Sequence, residues 1–214
     1  MMTIKKIVMN PLQENTYIVS DETKECVIID CGAFSDIEIQ AVIQYLEDND
    51  LTVKHLLCTH AHFDHVMGNR MLCQQLKIKP EYSQRDHDLM GHTPANIALF
   101  LGVQPFEEMP APERFIDANT IIHFGTHSFQ VLETPGHSHG SLTFYCKEEN
   151  MAFTGDTLFR MSIGRTDFPE SSYEEMMHSL HEVLAKLPED TICYPGHGPS
   201  TTIGCELRTN PFLS

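Results

Sequence analysis

The sequence has no apolar run long enough to cross a lipid bilayer. No window approaches the roughly 18 consecutive apolar residues that a membrane-spanning helix needs. The N-terminal stretch MMTIKKIVMNPLQENTY contains two lysines, but no apolar segment of signal-peptide length follows them. We therefore expect a soluble protein that makes no contact with membranes and resides in the cytoplasm.

Cysteine pairs are also missing. The chain has seven cysteines, an odd number, and none of them form a CxxC motif. A small secreted protein held together by disulfides normally has an even number of paired cysteines. The pattern therefore predicts reduced thiols, most of them buried, in agreement with a cytoplasmic location.

Basic residues are scarce. The chain has 14 Lys and Arg against 30 Asp and Glu, which gives a formal net charge of -16. This charge repels phosphate backbones and anionic lipid surfaces, so nucleic acid is disfavoured as a partner. The hydrophobic fraction of 41% is typical of a globular protein. Because no linker or repeat interrupts the 214 residues, we expect one domain over residues 1–214, with the oligomeric state left open.

The order of the predicted elements indicates a mixed α/β (α+β) fold with two sheets flanked by helices. Short β-branched or apolar runs predict strands at 4–9, 16–20, 26–30, 53–59, 120–124, 128–133, 142–146, 151–154 and 191–194. Helical periodicity predicts helices at 36–49, 66–76, 83–101 and 173–187.

Three details of these predictions concern single residues. Ser35 is expected to cap the helix at 36–49. Gly91 and Pro94 are expected to interrupt the helix at 83–101. Residues 102–118, with Pro105, Pro110 and Pro112 at their centre, are expected to form an exposed loop.

The stretch CTHAHFDH, residues 58–65, places three imidazoles and a carboxylate directly after a buried strand. Since alternate side chains of extended backbone point the same way, His60 and His62 can bind one ion, and Asp64 and His65 can turn towards a second. Three further loops that follow apolar strands contain candidate ligands: His137 in TPGHSHGS, Asp156 in TGDTLF and His197 in YPGHG. This set of nitrogen and oxygen donors suits zinc, iron or manganese.

A single histidine, taken alone, is more simply explained as a surface residue or a hydrogen-bonded core residue than as a metal ligand. The dense cluster and the three later loops together favour a metal site over that alternative. Seven other histidines have no such context: His55, His87, His92, His123, His127, His178 and His181. His139 lies close enough to His137 in the chain to support the ligands from behind.

With HxHxDH and the later His, Asp and His, the sequence resembles the metallo-β-lactamase superfamily over nearly its whole length. The resemblance implies a four-layer αββα sandwich with the metal site at one edge of the facing sheets. It implies a first site of His60, His62 and His137, a second site of Asp64, His65 and His197, and an Asp156 that bridges both ions. Asp30, in IIDCG, matches the superfamily's Asp-x-Gly turn and is implied to orient the ligands.

The resemblance also implies the chemistry. Two divalent ions, with zinc as the first expectation and iron or manganese as alternatives, bind a bridging hydroxide because they lower the pKa of water towards about 7. The same ions polarise a carbonyl group of the substrate. Asp64 has an implied catalytic role besides metal binding, since it can steer the proton of the hydroxide. Hydrolysis of an ester-like bond follows.

Two segments, NPLQENTYIV and GDTLFRMSIGRTDFP, resemble the glyoxalase II (hydroxyacylglutathione hydrolase) branch, which hydrolyses thioesters such as S-lactoylglutathione. Arg165 falls where those enzymes have a basic residue that binds the carboxylate of the thiol. The alternative for Arg165 is an ion pair with Asp167. The last segment, GHGPSTTIGCELRTNPF, is similar to a short, single-domain bacterial branch without the helical C-terminal domain, so another small thiol or a broader acyl substrate stays open.

Other functions remain as alternatives. Persulfide dioxygenases share GRTDF and use one iron, which His60, His137 and Asp156 could hold, but GDTLF and PGHGP favour the hydrolase. Lactonase activity is a further option. A non-catalytic metal-binding protein would be favoured by a missing ligand, and none is missing. The sequence therefore predicts a metal-dependent hydrolase of small-molecule thioesters.

Overall fold

The first of two facing β-sheets is built from the N-terminal half of the chain. The structure, a computed structural model, describes residues 1–102, 104 and 108–213. The strands of the first sheet are β1 (Thr3–Met9), β2 (Glu14–Ser20), β3 (Glu25–Ile29), β4 (Thr52–Leu57), β5 (Pro80–Tyr82) and β6 (Arg114–Phe115). They lie in chain order, antiparallel from β1 to β3 and parallel from β3 to β6.

The second sheet comes from the C-terminal half. The strands described there are β7 (Ile121–Phe124), β8 (His127–Glu133), β9 (Leu142–Cys146), β10 (Met151–Gly155), β11 (Leu158–Phe159), β12 (Ser162–Ile163), β13 (Ile192–Pro195) and β14 (Thr201–Thr202). The sheet has the order β14-β13-β10-β9-β8-β7, while β11 and β12 form a separate hairpin. Strands β10 and β13 are parallel, and their C-terminal ends therefore open at the same edge.

Helices cover the outer faces of both sheets. They are α1 (Asp36–Asp48), α2 (Phe63–Val66), α3 (Asn69–Leu76), α4 (His87–Leu101), α5 (Tyr173–His178) and α6 (Ile203–Thr209). As expected, Ser35 caps α1, because its hydroxyl accepts a hydrogen bond from the Glu38 amide. The chain continues beyond α5 through a wide π turn (Ser179–Val183) and a tight 3-10 turn (Leu184–Lys186).

Alternation along the strands builds the four layers. In β2, Tyr17 and Val19 face the second sheet and pack in the same buried cluster as Phe144 and Phe153. Ile18, between them, faces outward and packs in the cluster that includes the α1 residues. Leu180 and its neighbours cover the outer face of the second sheet in the same way. The predicted αββα sandwich is confirmed.

The helix predicted at 66–76 is split in two. Chain direction changes at Gly68, whose amide donates to the carbonyl of Cys31 at 2.9 Å instead of to Asp64. The carbonyl of Asp64 accepts a hydrogen bond from the Asn10 side chain at 2.9 Å. Asp64 and Gly68 therefore each have another partner in place of the helical hydrogen bond between them. The prediction of one continuous helix was wrong because the competing partners are distant in sequence.

Gly91 and Pro94 do not interrupt the fourth helix. Residues Gln84–Asp86 form a 3-10 turn, and α4 then runs without a break to Leu101. Pro94 lacks an amide hydrogen, but it is buried with Met90 and Ile97, and this packing outweighs the missing hydrogen bond. The loop expected over 102–118 is seen at 108–113, which has no helix or strand, but Arg114–Phe115 form the strand β6 instead of loop. Pro105 lies outside the described residues.

All seven cysteine thiols are free. Five of them are buried: Cys26, Cys31, Cys58, Cys146 and Cys193. Burial raises the pKa of each of these five thiols, so they are present as neutral thiols rather than as nucleophiles. Among the described residues, none of the helices has the length and apolar character that crossing a bilayer requires.

His127 joins the two sheets through a buried ionic network. Its Nδ1 lies 2.9 Å from Asp21 Oδ2 and its Nε2 lies 3.1 Å from Glu149 Oε1. Burial by itself lowers the pKa of His127, but the hydrogen bonds with Asp21 and Glu149 outweigh burial and raise it. The charged form of His127 is therefore favoured in the folded state.

We expect His127→Gln to lower the free energy of unfolding by about 1–2 kcal/mol at pH 6 and by less at pH 9. The folded-state pKa is raised, so the stabilisation is complete below the unfolded pKa of about 6.5 and is lost as the pH rises through the folded value. Denaturant unfolding of both proteins at the two pH values measures the difference, with the exposed His178→Gln as control. An equal loss at both pH values would contradict a charged His127.

Candidate metal centre

The predicted ligands converge where strands of both sheets end. β4 ends at Leu57, residues 58–62 form no helix or strand, and His62 has an extended backbone immediately before α2 begins at Phe63. α2 turns the next side chains, Asp64 and His65, to a different side. The remaining ligands come from the turn between β8 and β9, the end of β10 and the end of β13.

The predicted ligands form three groups whose donor atoms lie within 4.8 Å of one another: His60, His62 and His137; Asp64, His65 and His197; His60, His65 and Asp156. A fourth group of the same kind contains Glu14, Asp30 and His65. The structure thus brings together all seven residues for which the sequence predicts metal binding. Asp156 lies between the first two groups, because one oxygen, Oδ1, is 3.3 Å from His65 Nε2 and the other, Oδ2, is 3.4 Å from His137 Nε2.

Hydrogen bonds fix the orientation of His62 and His137. His62 Nε2 lies 2.9 Å from the Glu170 carboxylate, and His137 Nδ1 lies 2.9 Å from the Arg165 carbonyl oxygen. Since both partners only accept hydrogen bonds, these two nitrogens hold the protons. The unprotonated atoms, His62 Nδ1 and His137 Nε2, then face each other at 2.8 Å, and two lone pairs that close repel each other unless a proton or a metal ion lies between them.

The second group repeats this arrangement. His65 Nδ1 lies 3.0 Å from Asp30 Oδ2, and His197 Nδ1 lies 3.1 Å from the Leu12 carbonyl oxygen. Their Nε2 atoms face each other at 3.2 Å, and Asp64 Oδ2 lies 3.2 Å from His197 Nε2. A cation coordinated by these three donors would neutralise the Asp64 charge and pair with both lone pairs.

His60 has the ring nitrogen that is best suited to bind a metal ion. The hydroxyl of Thr59 donates to Asp30 at 2.7 Å and can accept from His60 Nδ1, which lies 3.0 Å away. His60 Nε2 is buried and has no hydrogen-bond partner. Burial and the neighbouring histidines lower the pKa of His60, so this nitrogen keeps a free lone pair. The donor set therefore fits divalent metal ions.

The electrostatic field at the second group attracts cations. Burial lowers the pKa of His65, but the charges of Asp156 and Asp64 outweigh burial and raise it well above its usual value. Burial likewise opposes ionisation of Asp156, yet the charge of His65 leads the effects that hold the pKa of Asp156 low. Protons and metal ions therefore compete for the same atoms.

Asp30 lies directly behind the ligands. It is buried and has a φ of +58°, and its oxygens accept from both the amide and the hydroxyl of Thr59 at 2.7 Å. His139, in contrast, does not reach the site. Its side chain is 46% exposed and its Nδ1 lies 3.1 Å from Glu175 Oε2, so the prediction that it supports the ligands was wrong. Nearness to His137 in the chain was misleading because Ser138 points inward whereas the His139 side chain points outward.

Asp86 has the supporting role expected of His139. Its buried carboxylate accepts from the Ala61 amide at 3.0 Å, the Ser138 hydroxyl at 2.7 Å and the Gly140 amide at 2.7 Å. It thereby joins the loop of His60 and His62 to the loop of His137. No sequence signal distinguishes Asp86 from the other acidic residues of the chain, and the same holds for Glu170 behind His62.

Two asparagines of the N-terminal segment NPLQEN, residues 10–15, hold the second group in place. Asn10 Nδ2 lies 2.9 Å from the carbonyl oxygens of Gly32 and Asp64. Asn15 Nδ2 lies 2.9 Å from the carbonyl oxygens of Pro195 and Gly198, on either side of His197. The N-terminal segment therefore fixes the separation between the loop of Asp64 and the loop of His197.

Gly196 is required by the same packing. A Cβ atom at this position would lie 2.3 Å from Asp156 Oδ1 and 2.5 Å from His65 Cε1. Any side chain would push the His197 loop away from Asp156. The glycine before His197 in YPGHG is thus explained by the close approach of its backbone to the ligands.

The metal centre opens into a cleft of about 770 Å³. Asp64, His137 and His197 line its base, and Arg165 lies in its wall. The Arg165 guanidinium forms two hydrogen bonds with Asp167, at 2.8 and 2.9 Å, and the Arg165 side chain is 65% exposed. The alternative ion pair of Arg165 is therefore present, while its position in the cleft also allows contact with a substrate.

A family model described as the metallo-beta-lactamase superfamily matches residues 9–197 of the chain. The chain belongs to the metallo-β-lactamase superfamily. This superfamily contains metallo-hydrolases, and both the family match and the observed layers confirm the predicted fold.

Similar superfamily members match over essentially the full chain. Hydroxyacylglutathione hydrolase GloC of Haemophilus influenzae is 36% identical over 100% of this chain and 99% of its own length. The crystal structure of BLEG-1 B3 metallo-beta-lactamase is 35% identical, with a TM-score of 0.89 over 99% of this chain and 100% of that one. TTHA1623 in a di-iron-bound form is 37% identical, with a TM-score of 0.86 over 98% of this chain and 100% of that one.

Proposed function

We propose that this metallo-hydrolase cleaves thioesters of glutathione or of another small thiol. The observation that supports this most is the cleft above seven metal-capable side chains whose lone pairs point to two adjacent positions. Its similarity to a protein named hydroxyacylglutathione hydrolase extends over the full length of both chains. We also propose a cytoplasmic location, two zinc ions as cofactors and one domain over residues 1–214.

The proposed division of the ligands follows the geometry. His60, His62 and His137 would hold one ion, Asp64, His65 and His197 would hold the other, and Asp156 would contact both. When bound, the two ions supply a water of lowered pKa and polarise the thioester carbonyl. Iron and manganese accept the same donor set, so zinc is the first metal to test.

The chain itself orients the reactants. Asp64 lines the cleft and remains close to His197 Nε2, so in our proposal its carboxylate accepts the proton of the attacking water. The leaving group is a thiolate whose conjugate acid has a pKa of about 8.5, so it departs without a dedicated general acid.

The proposal predicts that zinc-loaded protein hydrolyses S-lactoylglutathione and that chelation abolishes the reaction. Loss of the thioester absorbance measures the activity, with iron- and manganese-loaded protein assayed in parallel. Glutathione persulfide with an oxygen electrode and a chromogenic β-lactam serve as competing substrates. Oxygen uptake or β-lactam cleavage without thioester hydrolysis would contradict the proposal, and inactivity towards all three would favour a metal-binding protein without catalysis.

A further inference from the structure

Apolar side chains form most of the cleft wall beside the metal centre. Phe159, Ile163 and Phe168 line one part of the wall, and Phe63, Leu99 and Phe100 line another. The rings of Phe63 and Phe100 are in contact, with centroids 5.1 Å apart. Phe63 lies between His62 and Asp64 in the chain, so this apolar surface begins at the metal ligands themselves.

The surface around Phe100 continues to the mouth of the cleft. Leu99 is 85% exposed and Phe100 is 40% exposed, both at the C-terminal end of α4. Adjacent exposed apolar side chains that border a catalytic cleft mark a binding surface more often than a chance feature of the surface. We therefore define the acyl wall as Phe63, Leu99 and Phe100.

Apart from the metal ions themselves, the side chains that line the cleft offer little positive charge to an anionic ligand. Arg165 is the one Lys or Arg among the described residues that line the cleft, and Asp167 already pairs with its guanidinium. Glu170 adds a negative charge to the same lining. The carboxylates of a thiol such as glutathione must therefore compete with Asp167, whereas each methylene group buried on the acyl wall strengthens binding about fourfold.

We propose that the cleft selects thioesters through an apolar acyl group, a medium-chain aliphatic or an aromatic one, that packs on the acyl wall. The small hydroxyacyl group of S-lactoylglutathione would leave this wall in contact with water. The inference rests on the proposed thioester hydrolysis and names its substrate class.

A series of acyl groups, each attached to the same two thiols, tests the inference. The metal-loaded protein is assayed with S-lactoyl, S-butanoyl, S-octanoyl and S-benzoyl thioesters of glutathione and, to remove the carboxylates, of N-acetylcysteamine. We expect kcat/KM for the octanoyl and benzoyl thioesters to exceed that for the lactoyl thioester by at least about tenfold. Hydrolysis with equal or greater preference for lactoyl would overturn the inference alone, whereas no hydrolysis of any thioester would overturn the proposed function.

Variants of the acyl wall locate the preference. Leu99→Ser and Phe100→Ser are expected to reduce the octanoyl-to-lactoyl ratio of kcat/KM by about tenfold. Ile37→Ser is the matched control, because Ile37 is 82% exposed on α1 and does not line the cleft. Leu99 is so exposed that its replacement leaves the packing of the fold intact. An unchanged ratio in both wall variants would overturn the assignment of the acyl wall.

Binding without turnover gives a second readout. S-hexylglutathione and S-methylglutathione are thioethers that cannot be hydrolysed and differ only in apolar length. Calorimetry with metal-loaded protein should show at least about tenfold tighter binding of the hexyl compound and a more negative heat-capacity change. The Phe100→Ser variant should lose most of this difference. Equal affinities for the two thioethers in the unmodified protein would overturn the inference.

Discussion

Replacement of Asp156 with Asn is expected to remove most of the bound metal and to lower kcat/KM by more than about 100-fold. The two carboxylate oxygens of Asp156 approach ligands of both groups, at 3.3 Å from His65 Nε2 and 3.4 Å from His137 Nε2. An amide keeps the shape but offers only one oxygen and no charge. Metal binding should therefore weaken at both sites, and substitution of any other single ligand would not have this effect.

Metal content after dialysis and the activity at saturating metal measure this effect. Asp36→Asn is the control, since Asp36 is an exposed carboxylate at the start of α1. Retention of two ions per chain by Asp156→Asn would show that Asp156 does not bridge. Loss of one ion only would assign Asp156 to a single site.

Asp30→Asn should weaken metal binding by about 10–100-fold, although Asp30 is not itself a ligand in our proposal. Asp30 accepts hydrogen bonds from the Thr59 amide, the Thr59 hydroxyl and His65 Nδ1. An amide group has one acceptor oxygen, so at least one buried N–H must face another donor. His65 then loses the contact that directs its Nε2 towards the metal. Competition with a chromogenic chelator measures the affinity.

The control for Asp30→Asn separates metal binding from general stability. Asp21 is also buried and accepts from the amides of Thr23 and Thr126, but it lies in the network of His127. Asp21→Asn should destabilise the fold and leave metal affinity unchanged. Because Asn adopts positive φ as readily as Asp, the backbone at residue 30 is preserved in the variant. Wild-type affinity in a destabilised Asp30→Asn would restrict Asp30 to a structural role.

The sequence predicted those parts of the site that lie close together in the chain. HxHxDH places four donors in six residues, and the strand before it fixes their direction. The layers were predictable too, because alternation in strands and the cap at Ser35 are local effects. His137, Asp156 and His197 entered through their loops and the resemblance, and the structure brings all three to the cluster.

The parts that could not be predicted depend on distant partners. Glu170 contacts His62, which lies 108 residues away in the chain. The Asn10 side chain donates to the Asp64 carbonyl, 54 residues away, in place of the Gly68 amide. The sequence around Glu170 and around Asn10 does not indicate which distant residues these side chains contact. The same dependence explains why the helix at Gly68 is broken and why His139, adjacent to the site in sequence, points away from it.

The N-terminal segment also sets an order of assembly during synthesis. Asn15 leaves the ribosome long before its acceptors at Pro195 and Gly198, which follow it by 180 and 183 residues. His60, His62 and His137 are present much earlier than His197, so a nascent chain can complete only the first group. The second group can close only when β13 and the loop of His197 reach the start of β2, so completion of the centre depends on a long-range step.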